Sequence, residues 1–146
     1  MRLWPSGGAS RLREKIAMCA DAVRTKTIFD VLKLDAQGLV AAVVQHHTTG
    51  QVLMVGYMNR EALEITLRER RACFWSRSRQ KLWRKGESSG NVLNLIEVRT
   101  DCDNDAILLK CDPVGPTCHT NETSCFYRVV EGNGKLVLAG DGVAKE

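Results

Sequence analysis

The sequence predicts an α+β fold with a mainly antiparallel β-sheet and few helices, on three observations. Short apolar runs rich in β-branched residues recur from residue 39 to residue 138. Helical spacing is confined to residues 11–24 and 60–69. Two turn signals, Thr48-Thr49-Gly50 and Gly132-Asn133-Gly134, separate neighbouring runs at hairpin distance. Strand-rich sequence with segregated helices is the pattern of this class.

Taken in order, residues 1–25 read as a loosely ordered N-terminal extension, and residues 26–146 as one domain. Within the extension, residues 4–10 are turn-rich, and residues 11–24 could form a short helix with Leu12, Ile16 and Val23 on one side. Its arginines are compatible with an organelle transit peptide, and Glu14 and Asp21 argue against one. Residues 39–44 and 52–55 read as a hairpin. Asn59 reads as a helix N-cap, with residues 60–69 as the helix and Leu63 and Leu67 on its apolar face. Further strands are expected over residues 72–76, 91–100, 106–110, 126–130 and 136–138.

The composition narrows the function classes. The chain has 146 residues, 44% of them hydrophobic and only 5% aromatic, so its core is expected to be aliphatic. Its net charge of +4 suits an anionic small molecule or a nucleic acid without choosing between them. No apolar run has the length of a membrane span, and no h-region marks a secretory signal, so the expected location is cytoplasmic and reducing. Six cysteines stand at 19, 73, 102, 111, 118 and 125. In such a compartment metal ligation is favoured over a disulfide framework.

Three constellations carry chemistry. The first is the set of carboxylates Asp101, Asp103 and Asp105, spaced i, i+2 and i+4. On an extended strand they share one face and repel one another, and a hard cation such as Mg²⁺ would relieve the repulsion. A solvated acidic turn is the bland alternative. An EF-hand fits poorly, because Ala106 and Asp112 stand where Gly and Glu belong.

The second constellation is Cys102, Cys118 and Cys125, separated by 16 and 7 positions. The spacing is not that of a zinc ribbon. Three thiolates would leave a coordination position open on Zn²⁺, the arrangement of a catalytic centre. Three unrelated thiols are the competing reading, and Cys111 is a further candidate ligand. On a regular strand Cys102 points away from Asp101 and Asp103. Either the strand is bulged or Cys102 faces a second subunit, and the second is favoured. His119, beside Cys118, could orient a ligand, move a proton or simply face solvent.

The third constellation is residues 68–85, with eight basic residues against one acid and with Phe74, Trp75 and Trp83 among them, followed by Gly86-Glu87-Ser88-Ser89-Gly90. Arginine and serine are good phosphate donors, and glycine lets the backbone come close. A pocket for a phosphorylated small molecule competes with a nucleic-acid surface bearing stacking aromatics. A solvated basic face is the neutral reading. The carboxylates at 101, 103 and 105 would repel a phosphate backbone unless a metal intervened.

These stretches together resemble the phosphoribosyl-AMP cyclohydrolase family. The matching strings are GLVAAVVQ at 38–45, VLMVGYMNREAL at 52–63, FWSRSRQKLWRKGESSGN at 74–91, DCDNDAILLK at 101–110 and GPTCHTNETSCF at 115–126. Two departures stand out: Asn121 replaces a usual Gly, and Gly56 stands where Ala is common. Asn tolerates the left-handed backbone region, so the loop at 121 can survive the exchange. Many relatives carry a fused pyrophosphohydrolase domain, and only about twenty residues follow Phe126, so one activity is expected.

The resemblance implies a hydrolase of histidine biosynthesis that opens the N1–C6 bond of the adenine ring of 1-(5-phosphoribosyl)-AMP with a zinc-activated water, giving the formimino-aminoimidazole carboxamide ribotide. It implies Zn²⁺ on Cys102, Cys118 and Cys125 and Mg²⁺ on Asp101, Asp103 and Asp105. It also implies an intertwined homodimer whose zinc site is built across the subunit interface. Zn²⁺ lowers the pKa of a bound water, but three thiolates weaken its Lewis acidity, which leaves room for a base, and His119 is the candidate. Substrate binding is expected from Ser76, Arg77, Ser78, Arg79, Trp83, Lys85, Glu87, Ser88 and Ser89. A small phosphorylated nucleotide is the expected partner, with no nucleic acid and no membrane. The alternatives are a nucleic-acid-binding module with structural zinc, and a relative that binds ligand without turnover.

Overall fold

The computed structural model describes Arg13 and residues 26–139. The extension expected over residues 1–25 lies, Arg13 apart, outside the described residues. Two compact units divide the chain at Leu32 and Lys33. The first contributes one described turn of helix, α1 (Ile28–Val31).

The second unit carries the sheets and the remaining helix. Strands β1 (Val40–His46) and β2 (Val52–Met58) form the expected hairpin, antiparallel and in register from Val40 opposite Met58. Helix α2 (Arg60–Glu69) begins where Asn59 predicts, with the Asn59 side-chain oxygen accepting from the Ala62 amide at 2.8 Å. It ends at Arg70, which adopts left-handed φ 57°. Ala62, Leu63, Ile65 and Thr66 are buried, and Leu67 only half so. The buried Thr66 hydroxyl donates to the Ala62 carbonyl (2.8 Å) and accepts from the Cys73 amide (2.9 Å), tying the helix to the strand that follows.

That strand, β3 (Cys73–Ser76), pairs with β4 (Lys81–Arg84) in a separate antiparallel ribbon. The sequence did not announce β4, whose four residues alternate poorly and are half charged. Strands β5 (Leu93–Thr100) and β6 (Ala106–Pro113) complete a four-stranded sheet in the order β2-β1-β6-β5. Three of the four relations within the ribbon and this sheet are antiparallel, but β1 and β6, in the middle of the sheet, run parallel. The fold is α+β, and its sheet is mixed. A bulge between Leu95 and Glu97 throws Ile96 out of the alternation and leaves it 48% exposed. The chain ends in a small ribbon, β7 (Arg128–Val130) and β8 (Leu136–Leu138), turned through Gly134 at φ 86°.

The core is aliphatic as expected: Val44, Leu53, Met58, Leu63, Leu93, Ile107 and Leu109 are fully buried, with Phe74 the one large aromatic among them. Among the described residues no helix is long and apolar enough to cross a membrane.

Candidate active site

The basic segment is built as a hairpin and a tight turn. The β3–β4 ribbon reverses through residues 77–80, with Gln80 at φ 52°. The Ser76 hydroxyl caps this turn by accepting from the Arg79 amide (3.3 Å). Gly86 then turns at φ 81°, and a side chain there would meet the backbone of Asn91 and Val92 at 2.5 Å, so only glycine fits. Not every cation in the segment is available to a ligand. Arg84 makes two 3.1 Å hydrogen bonds to the Glu69 carboxylate, and the guanidinium of Arg70 donates to the Ile96 carbonyl. Arg77 lies 3.9 Å over the ring of Tyr57.

Residues 115–126 form an irregular loop pinned to β2. The Ser124 hydroxyl donates to the Val52 carbonyl (2.7 Å), and the Cys125 amide donates to the Leu53 carbonyl (2.8 Å). The Cys118 amide donates to Glu122, and the Asn121 amide to Cys118, closing a tight turn in which Asn121 takes φ 66°. Asn121 thus does what was expected of it, occupying the left-handed region where a glycine would be at ease.

These constraints bring Cys118 and Cys125 together. Their thiols are close enough to act on one another. Burial pushes Cys118 up, but the Thr120 hydroxyl (3.0 Å), the Thr120 amide and the Cys125 thiol outweigh it and hold Cys118 below the usual thiol range. Cys125 goes the other way, to about 11, through desolvation and the charge of Cys118. One thiolate therefore forms readily, and a second beside it needs a cation. The five described cysteines are all free thiols.

A cavity of about 380 Å³ joins this loop to the basic hairpin. Cys118 and His119 line it from one side, and Arg79, Trp83, Lys85, Glu87, Ser88 and Ser89 from the other. Of the nine residues expected to bind substrate, those six meet Cys118 and His119, and Ser76 instead serves the turn. Arg77 and Ser78 face a second cavity of about 750 Å³, with Trp75, Gln80 and Asn59. Although that cavity is larger, Cys118 and His119 line the smaller one, which is where chemistry is possible.

The carboxylates require a correction. Residues 101–105 are not an extended strand but the turn between β5 and β6, with Asn104 at φ 62°. One Asp101 oxygen accepts from the amides of Asp105 (3.0 Å) and Ala106 (3.3 Å), an arrangement that strand geometry does not allow. The argument from strand alternation about where Cys102 points therefore falls. The clustering itself holds: one oxygen from each of Asp101, Asp103 and Asp105 lies within 4.8 Å of the others, all exposed. Their mutual hydrogen bonds and repulsion push Asp105 up to about 6. For Asp101 desolvation works against the charged form, but the hydrogen bond with Asp105 and the two amides prevail and hold it low.

Cys102 is exposed on this turn and does not join Cys118 and Cys125 in a three-ligand cluster. One chain thus offers a soft thiol pair and, apart from it, a hard oxygen trio. The donor chemistry fits Zn²⁺ at the first and Mg²⁺ at the second.

Four contributors to the site were not singled out in the sequence, although all four fall within the strings that carry the family resemblance. Ser124 anchors the thiol loop. Asn91 packs its side-chain oxygen where a Cβ on Gly115 would stand, 2.6 Å away, linking the basic turn to that loop. Tyr57 carries Arg77. Thr117, next to Cys118, has a buried hydroxyl with no hydrogen-bond partner.

Residues 54–127 match the family model described as phosphoribosyl-AMP cyclohydrolase. The chain belongs to the phosphoribosyl-AMP cyclohydrolase family. Three relatives of that name show the extent of the likeness. The protein of Alkalilimnicola ehrlichii is 52% identical over 119 residues, 82% of this chain and 84% of that one. The protein of Rhizorhabdus wittichii is 58% identical over 106 residues, 73% of this chain and 86% of that one. The protein of Pseudomonas fluorescens is 57% identical over 114 residues, 77% and 86% respectively. Membership of the cyclohydrolase family makes the chain a hydrolase. The span matched by the model runs from within β2 to Tyr127 and contains the basic hairpin, the carboxylate turn and the thiol loop, whereas the β7–β8 ribbon lies beyond it.

Proposed function

We propose that this chain hydrolyses the N1–C6 bond of the adenine ring of phosphoribosyl-AMP, in the cytoplasm, as a step of histidine biosynthesis. The observation that carries the reading is the 380 Å³ cavity, in which phosphate-binding residue types face Cys118 and His119. Arg79, Ser88 and Ser89 supply donors for a phosphate, and Trp83, 37% exposed, offers a ring face to the purine. Water adds to C6, which is electrophilic because N1 carries a ribosyl group. His119 takes a proton from that water and returns one to N1 as the C6–N1 bond breaks. The Cys118–Cys125 pair would hold Zn²⁺, which when bound lowers the pKa of a water and so supplies the nucleophile near neutral pH. Asp101, Asp103 and Asp105 would hold Mg²⁺, which when bound would supply positive charge to offset substrate phosphate.

The third thiolate comes from the partner of a homodimer. In support of this, Cys102 is exposed and stands apart from the pair, and both edge strands of the sheet carry exposed apolar side chains, Val52 and Val55 on β2 and Ile96 on β5. Incubation of the purified protein with phosphoribosyl-AMP tests the activity. The product should weigh one water more than the substrate and show the absorbance change of ring opening, abolished by a zinc chelator. An unchanged substrate mass would refute it.

A further inference from the structure

Thr120 stands between His119 and the left-handed Asn121, yet it is not among the residues that line the 380 Å³ cavity, although Cys118, His119 and Asn121 are. Its hydroxyl donates to the Cys118 sulfur at 3.0 Å and has no other hydrogen-bond partner among the described residues. Burial does not force this choice: Thr120 is exposed, and its hydroxyl could turn to water instead. Nor does the turn need it. The backbone closes the turn, with the Asn121 amide on the Cys118 carbonyl and the Cys118 amide on the Glu122 carbonyl, each at 3.0 Å. That closure brings residue 120 back within reach of the sulfur, and the branched side chain has few rotamers in which to leave it.

We propose that Thr120 is a positioning residue, whose hydroxyl holds the Cys118 sulfur and tempers its electron donation to a bound cation. The proposal builds on the reading that Cys118 ligates a metal. Thiolates donate strongly, and three of them leave a divalent cation less charge with which to polarise a water. A hydroxyl that donates to one sulfur draws on the lone pairs the cation uses, so the cation keeps more of its charge, and the same bond fixes where that sulfur points. Thr120 does this without adding a ligand and without entering the cavity, which leaves His119 to move the proton.

The test compares Thr120→Val, which keeps the branched shape and loses the hydroxyl, with Thr120→Ser, which keeps the hydroxyl. Metal-free protein is loaded with Co²⁺, and the sulfur-to-cobalt charge-transfer band is recorded. A sulfur relieved of its hydrogen bond gives up an electron more easily. The band of Thr120→Val should therefore move to longer wavelength, and that of Thr120→Ser should stand at the wild-type position. With Zn²⁺ bound and phosphoribosyl-AMP as substrate, kcat of Thr120→Val should fall about 10–100-fold while KM stays within about twofold. Thr120→Ser should recover most of that loss. Unfolding midpoints of the metal-free variants should match the wild type, since the backbone closes the turn. Thr120→Ala serves in place of the valine variant if that chain does not fold. A band that stays in place on loss of the hydroxyl would overturn the proposal and leave the metal reading intact. A loss of activity carried by KM, or by a lowered unfolding midpoint, would do the same. A wild type with no sulfur-to-cobalt band would overturn the metal reading and the proposal with it.

Discussion

The ring of Phe74 closes over Gly56 so tightly that a Cβ on Gly56 would lie 2.6 Å from Cδ1 and 2.9 Å from Cε1. Phe74 is fully buried and also lies against Trp83, with ring centroids 5.7 Å apart, so the contact reaches from Gly56 to a residue that lines the cavity. Gly56→Ala should therefore lower stability by about 1–3 kcal/mol through overpacking, read from urea unfolding midpoints. It should also raise the KM for phosphoribosyl-AMP, since a displaced Phe74 would press on Trp83, which lines the cavity. A variant as stable as the wild type would show that the ring has room to move.

His119 stands at the cavity with Cys118 and is exposed, free of any structural duty among the described residues. His119→Ala should lower kcat by about 10²–10³-fold with little change in KM and no change in unfolding midpoint. A mainly KM-directed loss would make it a binding residue instead.

Arg77 and Arg79 sit two positions apart yet face different cavities. Arg79→Ala should raise KM about tenfold, whereas Arg77→Ala should act mainly on stability, through its lost contact with Tyr57. Equal KM effects would place the substrate across both cavities. Tight, salt-sensitive binding of single-stranded RNA or DNA by the wild type would instead favour the nucleic-acid reading of this segment.

The carboxylate turn sets a pH dependence. Asp105 titrates near 6 in the metal-free protein, above its unfolded value, so the folded state holds that proton more tightly than the unfolded state does. Stability is favoured below the unfolded pKa and declines as pH rises from about 4 through about 6, whereas the stabilisation from Asp101, held low, is complete above about 4 and is lost only at lower pH. Saturating Mg²⁺ should remove the decline. Asp101→Asn, Asp103→Asn and Asp105→Asn should each weaken Mg²⁺-dependent turnover without loss of zinc. Thermal melts from pH 4 to 8 with and without Mg²⁺ check the first point, and flat metal-free stability through pH 6 would contradict it.

Local signals in the sequence located most elements, because their causes are local. Asn59 caps α2 through its own side chain, β1 alternates buried and half-buried residues, and Gly134 turns the last ribbon. What escaped notice depended on distant partners. The parallel pairing of β1 with β6 leaves no trace in either strand's own pattern. Strand β4 exists because β3 is there to pair with it. The alternation at 101, 103 and 105 reads as a strand until Asn104 adopts a positive φ and the Asp101 carboxylate caps the turn. In the site, the thiols and the basic segment were legible as residue types, but their meeting in one cavity was not, since it depends on Ser124 and Cys125 docking on β2.

Phosphoribosyl-AMP turnover by mixed Cys102→Ala and Cys118→Ala chains bears most directly on the proposed two-chain thiolate site. Each variant alone should be inactive. Refolded together at equal amounts, they should place about half the chains in heterodimers, in each of which one of the two sites keeps all three thiolates, and so recover roughly a quarter of wild-type activity. No recovery, with subunit exchange demonstrated by mass-tagged chains, would mean that each chain builds its site alone.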